Sequence, residues 1–306
     1  MSGGLRIGTR GSALARAQAE AVARALPAPS ELVVITTAGD RRSAYGTAPG
    51  DGAVGVFVSE LETALLRGEV DLCVHSAKDV PPEIADGLCL AAYPGRGDPR
   101  DAVAGRALPD LPAGAVVGTG SPRRALQLRA LRPDLRIAPL AGNVDSRLAR
   151  VARGEFDAAI LAAAGLERLG RAAEARQVLR PEEMVPAAAQ GALVLEARVG
   201  DARALAAARA VHDPWTGFCV GVERAVLAAL GGGCAVAAGV LCQAGAGACT
   251  VLAAVDAGGG RVARVRVGAD GVAEPQDAAA REGLVARVLR ALAAEGVPVE
   301  PARPGR

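Results

Sequence analysis

Ile7-Gly8-Thr9-Arg10-Gly11-Ser12, near the start of the chain, returns as Val117-Gly118-Thr119-Gly120-Ser121-Pro122. Each stretch follows a short apolar run and opens a helical pattern. A second pair occurs in the same order. Arg67-Gly68-Glu69-Val70-Asp71 is matched by Arg153-Gly154-Glu155-Phe156-Asp157, and in each a helical stretch stops at a glycine placed at the C′ position. Apolar strands follow at once, Leu72–His75 and Ala158–Leu161. Two repeats in one order, at matching structural places, predict two similar α/β halves. Short apolar strands alternating with helices predict a mainly parallel, doubly wound sheet in each.

Tyr93-Pro94-Gly95-Arg96-Gly97-Asp98-Pro99 reads as the linker between the halves, and Pro181–Gly191 as a second crossing. After His212-Asp213-Pro214-Trp215-Thr216-Gly217 the pattern changes, with Trp215 read as a packing anchor. A helix over Val220–Leu230 leads to a glycine-rich turn, strand-like runs near 236–242, 249–255 and 261–267, and a helix near Asp277–Glu295. The expected division is a first α/β domain of 1–94 with 190–211, a second of 98–187, and a small α+β domain of 216–306. Pro301–Arg306 reads as a loose tail.

The chain has 306 residues and a net charge of +2, so it lacks the basic field that drives non-specific nucleic-acid binding. Aromatic residues make up 2%, too few for base-stacking platforms. Met1-Ser2-Gly3-Gly4-Leu5-Arg6 has no basic stretch followed by an apolar one, so no signal peptide is read. A cytoplasmic monomer with reduced cysteines is expected. The six cysteines form no CxxC pair and there are two histidines, which argues against a metal site. Ala225–Val255 carries no charge, but Gly231-Gly232-Gly233 interrupts it. A helix, a loop and a buried strand explain that stretch better than a membrane span.

In open α/β sheets ligands bind beyond the carboxyl ends of the strands. Four polar clusters fall at such ends: Arg10 with Ser12, Lys78 with Asp79, Ser121 with Arg123 and Arg124, and Asn143 with Arg147. Ser121-Pro122 is a helix start with serine as N-cap and proline at N1, and Ser12 caps the helix that follows it. Exposed N–H groups at such ends favour an anion. No Walker-type glycine loop or dinucleotide fingerprint occurs, so the implied ligand is a polyanion without a nucleotide's signature. Lys78 is the only lysine beside 34 arginines, in a composition rich in Ala, Gly, Arg and Val that points to a GC-rich genome. A compact ammonium beside Asp79 is not equivalent to a planar guanidinium. It is expected to keep Asp79, the acid–base candidate, ionised. Cys234, after the three glycines, sits where a thiol could be exposed and reactive. His75 reads as a buried strand residue.

Taken together, these residues resemble the hydroxymethylbilane synthase (porphobilinogen deaminase) family. The likeness runs through Arg6–Ser12, Val74-His75-Ser76-Ala77-Lys78-Asp79-Val80-Pro81, Asp98-Pro99-Arg100-Asp101-Ala102 and Gly118–Arg124. It continues in Gly142-Asn143-Val144-Asp145-Ser146-Arg147, Ala164–Gly170, Gln190-Gly191-Ala192, Glu223-Arg224-Ala225 and Gly232-Gly233-Cys234. The resemblance implies two type II periplasmic-binding-protein-like domains and a small α+β domain bearing a cysteine. It implies a cytoplasmic transferase that joins four porphobilinogens head to tail, releases ammonia at each step and frees hydroxymethylbilane by hydrolysis. The implied cofactor is a dipyrromethane held by a thioether to Cys234. Matching motifs assign cofactor binding to Arg10, Ser12, Lys78, Ser121, Arg123, Arg124, Asn143 and Arg147. Substrate binding falls to Arg10, Arg168, Gln190 and Phe57, and catalysis to Asp79 through a cationic azafulvene. The arginines would grip acetate and propionate carboxylates in bidentate forks. Porphobilinogen is the implied partner, with no nucleic acid, membrane or metal.

The chain departs from the family pattern in several places. Ala141 stands where the family has arginine, and one charge-assisted hydrogen bond is worth roughly 1.5–3 kcal/mol. Ala189 replaces the glycine before Gln190, and Ala235-Val236-Ala237 follows the cysteine where a polar residue and a proline are usual. The loop Gly50–Gly55 lacks basic residues that some members carry. Two other readings therefore stay open. One is a non-catalytic binding protein for a carboxylate-rich ligand; the other is a paralogue with altered or lost activity.

Overall fold

The computed structural model describes residues 4–37, 58–232, 236–245, 247–272 and 274–299. The first sheet is built from β1 (Leu5–Arg10), β2 (Ser30–Ile35), β3 (Leu72–Ser76), β4 (Leu88–Ala92) and a strand from much later in the chain. Helix α1 (Ala13–Ala25) begins where the Ser12 side chain accepts from the Ala15 N–H, and α2 (Ser59–Leu66) precedes β3. The second sheet contains β5 (Asp101–Gly105), β6 (Val116–Gly118), β7 (Arg136–Ala138), β8 (Ala158–Ala162) and β9 (Ala175–Val178). Its helices are α3 (Pro122–Leu131), α4 (Val144–Ala152) and α5 (Ala163–Arg168). Strand β10 (Leu193–Arg198) returns to the first sheet, and α6 (Ala202–Arg209) follows it. The remainder is α7 (Pro214–Ala229), the antiparallel strands β11 (Ala238–Gly245), β12 (Ala248–Asp256) and β13 (Val262–Asp270), and α8 (Ala278–Ala294).

The strand orders are β2-β1-β3-β10-β4 and β7-β6-β8-β5-β9, so the two sheets share one plan. This is the two-lobed, type II periplasmic-binding-protein-like fold with a small α+β unit added. The expectation of mainly parallel pairing needs correction. In each sheet two pairings are parallel and two antiparallel, because β10 and β5 run against both of their neighbours. The physical reason lies in the connections. β5 is the first strand after the crossing from the first lobe, and β10 the first after the crossing back, so each enters its sheet from the opposite end. Sequence periodicity reports burial, and both pairing senses bury these strands alike.

The repeated glycines are helix terminators. Gly68 and Gly154 have φ of +67° and +76°, one residue beyond the caps of α2 and α4. Each large sheet has its own apolar core, led by Ile7, Leu72 and Leu195 in one and by Val117, Leu128 and Ile160 in the other. In the third unit, α7 and α8 cover one face of the three-stranded sheet around Val226, Val251 and Leu284, and Trp215 packs edge-on against Phe218. The opposite face carries Leu241, Leu252 and Ala254 onto Val185 from the second crossing. Helix α7 starts six residues before the expected Val220, with Asp213 as its N-cap and Pro214 at its first turn. Asp-Pro is a legible start signal that the apolar pattern obscured. No described helix is long and apolar enough to cross a membrane.

The three units meet at the crossings. The Gly97 N–H donates to the Gly191 carbonyl at 3.2 Å. A Cβ on Gly191, which has φ of +85°, would lie 2.5 Å from the Gly97 oxygen, so only glycine lets the crossings pass this closely. Glu223 on α7 is fully buried. It accepts from Arg96 Nη1 at 2.6 Å and Nη2 at 3.0 Å, from the Ala189 N–H at 2.5 Å and from the Cys242 N–H at 2.8 Å. One carboxylate thereby ties both crossings to the third unit. Ala189 is held at φ of +60°, and among the described residues it is the only one with positive φ that is not glycine. The left-handed backbone costs an alanine about 1–2 kcal/mol, against about 0.5–1 kcal/mol of extra chain entropy for glycine. Ala189→Gly is therefore expected to hold or raise unfolding stability by up to ~1 kcal/mol in urea. A loss as large as that from glycine inside a helix, for example at Ala208, would contradict this account.

Candidate active site

The polar clusters read from the sequence gather at the carboxyl ends of the strands where the lobes face each other. Strand β3 runs into a short 3-10 turn, Ala77–Asp79, which carries Lys78 and Asp79. Asp79 lines a small cleft with Arg10, Ala15, Gln18, Val58, Val74, His75 and Ser76. Gln18 and Ser76 hold each other at 2.9 Å, fixing one wall. Ser12 caps α1. In the second lobe, Ser121 caps α3 by accepting from the Arg124 N–H, and Asn143 caps α4 by accepting from the Ser146 N–H at 2.9 Å. Their side-chain oxygens are thus occupied by ordinary capping.

Asp101, at the start of β5, is the buried centre of the second lobe, and sequence reasoning missed its role. Arg123 Nη1 donates to its Oδ2 at 2.7 Å, and Arg124 Nη2 and Nε donate to Oδ1 at 2.7 and 3.0 Å. Gln190 Nε2 adds a bond to Oδ1 at 2.9 Å. Burial pushes this carboxyl up, but the two guanidiniums and these hydrogen bonds outweigh it and hold it well below the usual aspartate range. Arg123 also donates to the Val185 carbonyl at 2.7 Å and is 4% exposed. Its Nε is buried without a partner. The signal that could have found Asp101 was an aspartate opening an otherwise apolar strand, with two arginines at a helix start.

Gln190 connects the lobes. Its Oε1 receives Lys78 Nζ and Arg124 Nη2, both at the long distance of 3.5 Å, and its backbone carbonyl accepts from Arg96 Nε at 2.9 Å. Lys78 makes no ion pair with Asp79 at contact distance among the described residues, though the Asp79 charge still acts on it. Burial lowers the Lys78 pKa, and the Arg124 charge adds to this while Asp79 opposes it. Arg147 donates through Nε to the Gly142 carbonyl at 2.8 Å. Burial, then the charge of Arg124, brings its pKa down to about 10 against the pull of Asp79. Arg168 reaches the Gly191 carbonyl at 2.5 Å, and burial lowers its pKa too. Ala141 is half-buried in the loop before α4. Phe57 and Cys234 lie outside the described residues.

Lys78, Arg124 and Arg147 thus share a desolvated wall with more positive charge than Asp79 can balance, since Asp101 is already saturated. Such a wall suits a ligand bearing several carboxylates. The description "Porphobilinogen deaminase, dipyromethane cofactor binding domain" matches residues 5–206. Porphobilinogen deaminase of Acidothermus cellulolyticus is 51% identical over 247 residues, covering 78% of this chain and 74% of that protein. The Mycobacterium leprae enzyme is 50% identical over 245 residues, covering 78% and 77%. That of Sorangium cellulosum is 50% identical over 242 residues, covering 75% and 79%.

The chain belongs to the porphobilinogen deaminase family. It is an enzyme, a transferase of tetrapyrrole biosynthesis, with a domain of the dipyrromethane-binding type. In a porphobilinogen deaminase the surplus cationic wall has an evident use, because each pyrrole unit carries two carboxylates.

Two outcomes are expected. Asp101→Asn should cost about 3–5 kcal/mol at neutral pH by leaving two buried guanidiniums unpaired. Because the folded-state pKa of Asp101 is depressed, its contribution is complete above the unfolded value near ~3.9 and is lost as pH falls below it. The stability gap between native protein and variant, from denaturant titrations, should be flat from pH 7 to 5 and shrink below pH ~4. A gap unchanged at pH 3 would contradict the assignment. Lys78→Arg sets a larger fork against Arg124 and should lower kcat/KM by about tenfold or more, whereas the reverse swap at exposed Arg129 should do little.

Proposed function

We propose that this chain condenses four porphobilinogens head to tail, releasing one ammonia per step, and frees hydroxymethylbilane by hydrolysis. The observation that carries this reading is the desolvated set of Lys78, Arg124 and Arg147 around Asp79. The cofactor is a dipyrromethane bound by a thioether to Cys234. When bound, it supplies the pyrrole carbon on which the first unit is added. The residues present suit it: the wall has cationic donors left over and lacks the anions to use them. Arg10, Lys78, Arg124, Arg147 and Arg168 bind pyrrole carboxylates, and the helix starts at Ser12, Ser121 and Asn143 aim N–H groups at the same charges. Gln190 orients Lys78 and Arg124, and Phe57 is kept from the family pattern as a substrate contact. Arg123 is reassigned, since its guanidinium is committed to Asp101 and to the Val185 carbonyl. It holds Arg124 in place rather than gripping a carboxylate.

Asp79 stabilises the cationic centre left when the amine departs, and takes the proton lost when the attacking pyrrole regains aromaticity. The domain division proposed is 1–94 with 190–211, 98–187, and 216–306. The return of β10 to the first sheet supports the inclusion of 190–211. A cytoplasmic monomer remains the proposed state.

Protein made in cells that produce porphobilinogen should carry the mass of one dipyrromethane, lost in Cys234→Ala. Asp79→Ala should keep the fold and the unfolding midpoint while turnover falls by about 10²–10⁴-fold. A bare chain mass together with no consumption of porphobilinogen would overturn the reading in favour of a binding protein. A shorter oligopyrrole as product would favour the altered paralogue, with Ala141 as its cause.

A further inference from the structure

His75 lies on β3, four residues before Asp79, and lines the same cleft as Asp79, Arg10, Gln18 and Ser76. It is 6% exposed. Its Nε2 lies 3.0 Å from Oε2 of Glu196 on the antiparallel neighbour β10. The register pairs His75 with Val194, so Glu196 is its diagonal neighbour on the same face of the sheet. Glu196 is fully buried, and its Oε1 has no hydrogen-bond partner. A buried carboxylate with one oxygen unsatisfied is a poor structural brace, because burying such a group is unfavourable unless it is fully paired. An imidazole backed by a buried carboxylate and opening on a cleft beside an acid–base group has the arrangement of a proton-handling pair.

We propose that His75, oriented by Glu196, relays the proton between Asp79 and the departing ammonia. The proposal rests on the condensation reading above. In each elongation the attacking ring is the terminal pyrrole of the growing chain. A new carbon–carbon bond forms at a ring carbon bearing hydrogen. Breaking that C–H bond returns its electron pair to the ring and gives the proton to the Asp79 carboxylate. His75 takes the proton from Asp79, and ammonia takes it from His75 and leaves as ammonium. Asp79 and His75 end each cycle as they began, and no oxidant or reductant enters. Glu196 supplies the counter-charge to the transient imidazolium. Cys73 on β3 and Cys89 on β4 feel the Glu196 charge, and Arg10 and Asp79 line the same cleft as His75. His75 hands the proton to the leaving ammonia, so in this proposal it is a catalytic residue, and Glu196, which acts through it, is a positioning residue.

The holoenzyme contains two imidazoles, His75 and His212. His212→Gln therefore assigns the His75 ring signals by NMR. In the native protein the His75 Cε1–H signal should shift between the wild type and Asp79→Asn, and the Nε2–H proton should exchange slowly. In Glu196→Gln, which keeps the shape and removes the charge, that proton should exchange faster. Loaded His75→Asn should show kcat lower by about 100-fold or more, and loaded Glu196→Gln by about 10- to 100-fold, each with KM within twofold. Wild-type kcat in both variants, or a His75 signal identical in the wild type and Asp79→Asn, would overturn the proposal. If His75→Asn does not fold, Glu196→Gln and the native-protein spectra still decide. Failure of the condensation reading would show separately, as absence of the dipyrromethane mass from the wild-type chain.

Discussion

The buried carboxylate of Asp101 is the interaction on which the rest of the site depends. Two guanidiniums on α3 and one amide from the second crossing converge on it, all out of water. A buried charge is tolerated only when paired and hydrogen-bonded. Once Asp101 is in place, the rotamers of Arg123 and Arg124 are fixed and Gln190 is drawn against the second lobe. Gln190 then offers its remaining oxygen to Lys78 of the first lobe. Its backbone carbonyl takes Arg96, which is bound in turn to Glu223 of the third unit. A single chain of polar contacts thus runs through all three units and reaches the turn that carries Lys78 and Asp79.

This arrangement explains why the crossings carry so much of the chemistry. They are the places where the chain leaves one sheet for the other, and backbone polar groups there have no ladder to join. Glu223, Gln190 and Arg96 meet those needs with side chains. The same segments end at the carboxyl ends of the strands, where a ligand can touch both lobes. A wall built this way is rigid at its base, which suits the proposed role of Asp79 in holding its place beside a lengthening anionic chain.

Much of this was legible in the sequence, and the parts that were not have physical causes. The repeated turns identified two lobes because capping and C′ glycines are local rules, and Ser12, Ser121, Gly68 and Gly154 obey them in the structure. Strand direction was not legible, since β5 and β10 are apolar whichever way they run. The arginine pair at 123 and 124 looked like one cluster, yet the helix sends one head onto Asp101 and Val185 while the other spans Asp101 and Gln190. Adjacent positions on a helix do not face the same way. Glu223 was visible as a charge in a mostly apolar helix, but its four partners come from Arg96, Ala189 and Cys242, which no local pattern connects.

The single lysine follows from the same crowding. Gln190 Oε1 is shared between Lys78 and Arg124, each at 3.5 Å, so neither cation is well satisfied by it. Two guanidinium planes competing for one oxygen would have to splay apart, and the fork at position 78 would turn its remaining donors into the cleft at fixed angles. An ammonium on four methylenes can swing about its stem, which fits the proposal that it meets a substrate carboxylate. Its desolvation lowers the pKa, and the Asp79 charge keeps that decrease from going further. Lysine at 78 is therefore the cation that can be crowded by Arg124 without displacing it, and the arginine-rich composition of the rest of the chain makes the exception informative.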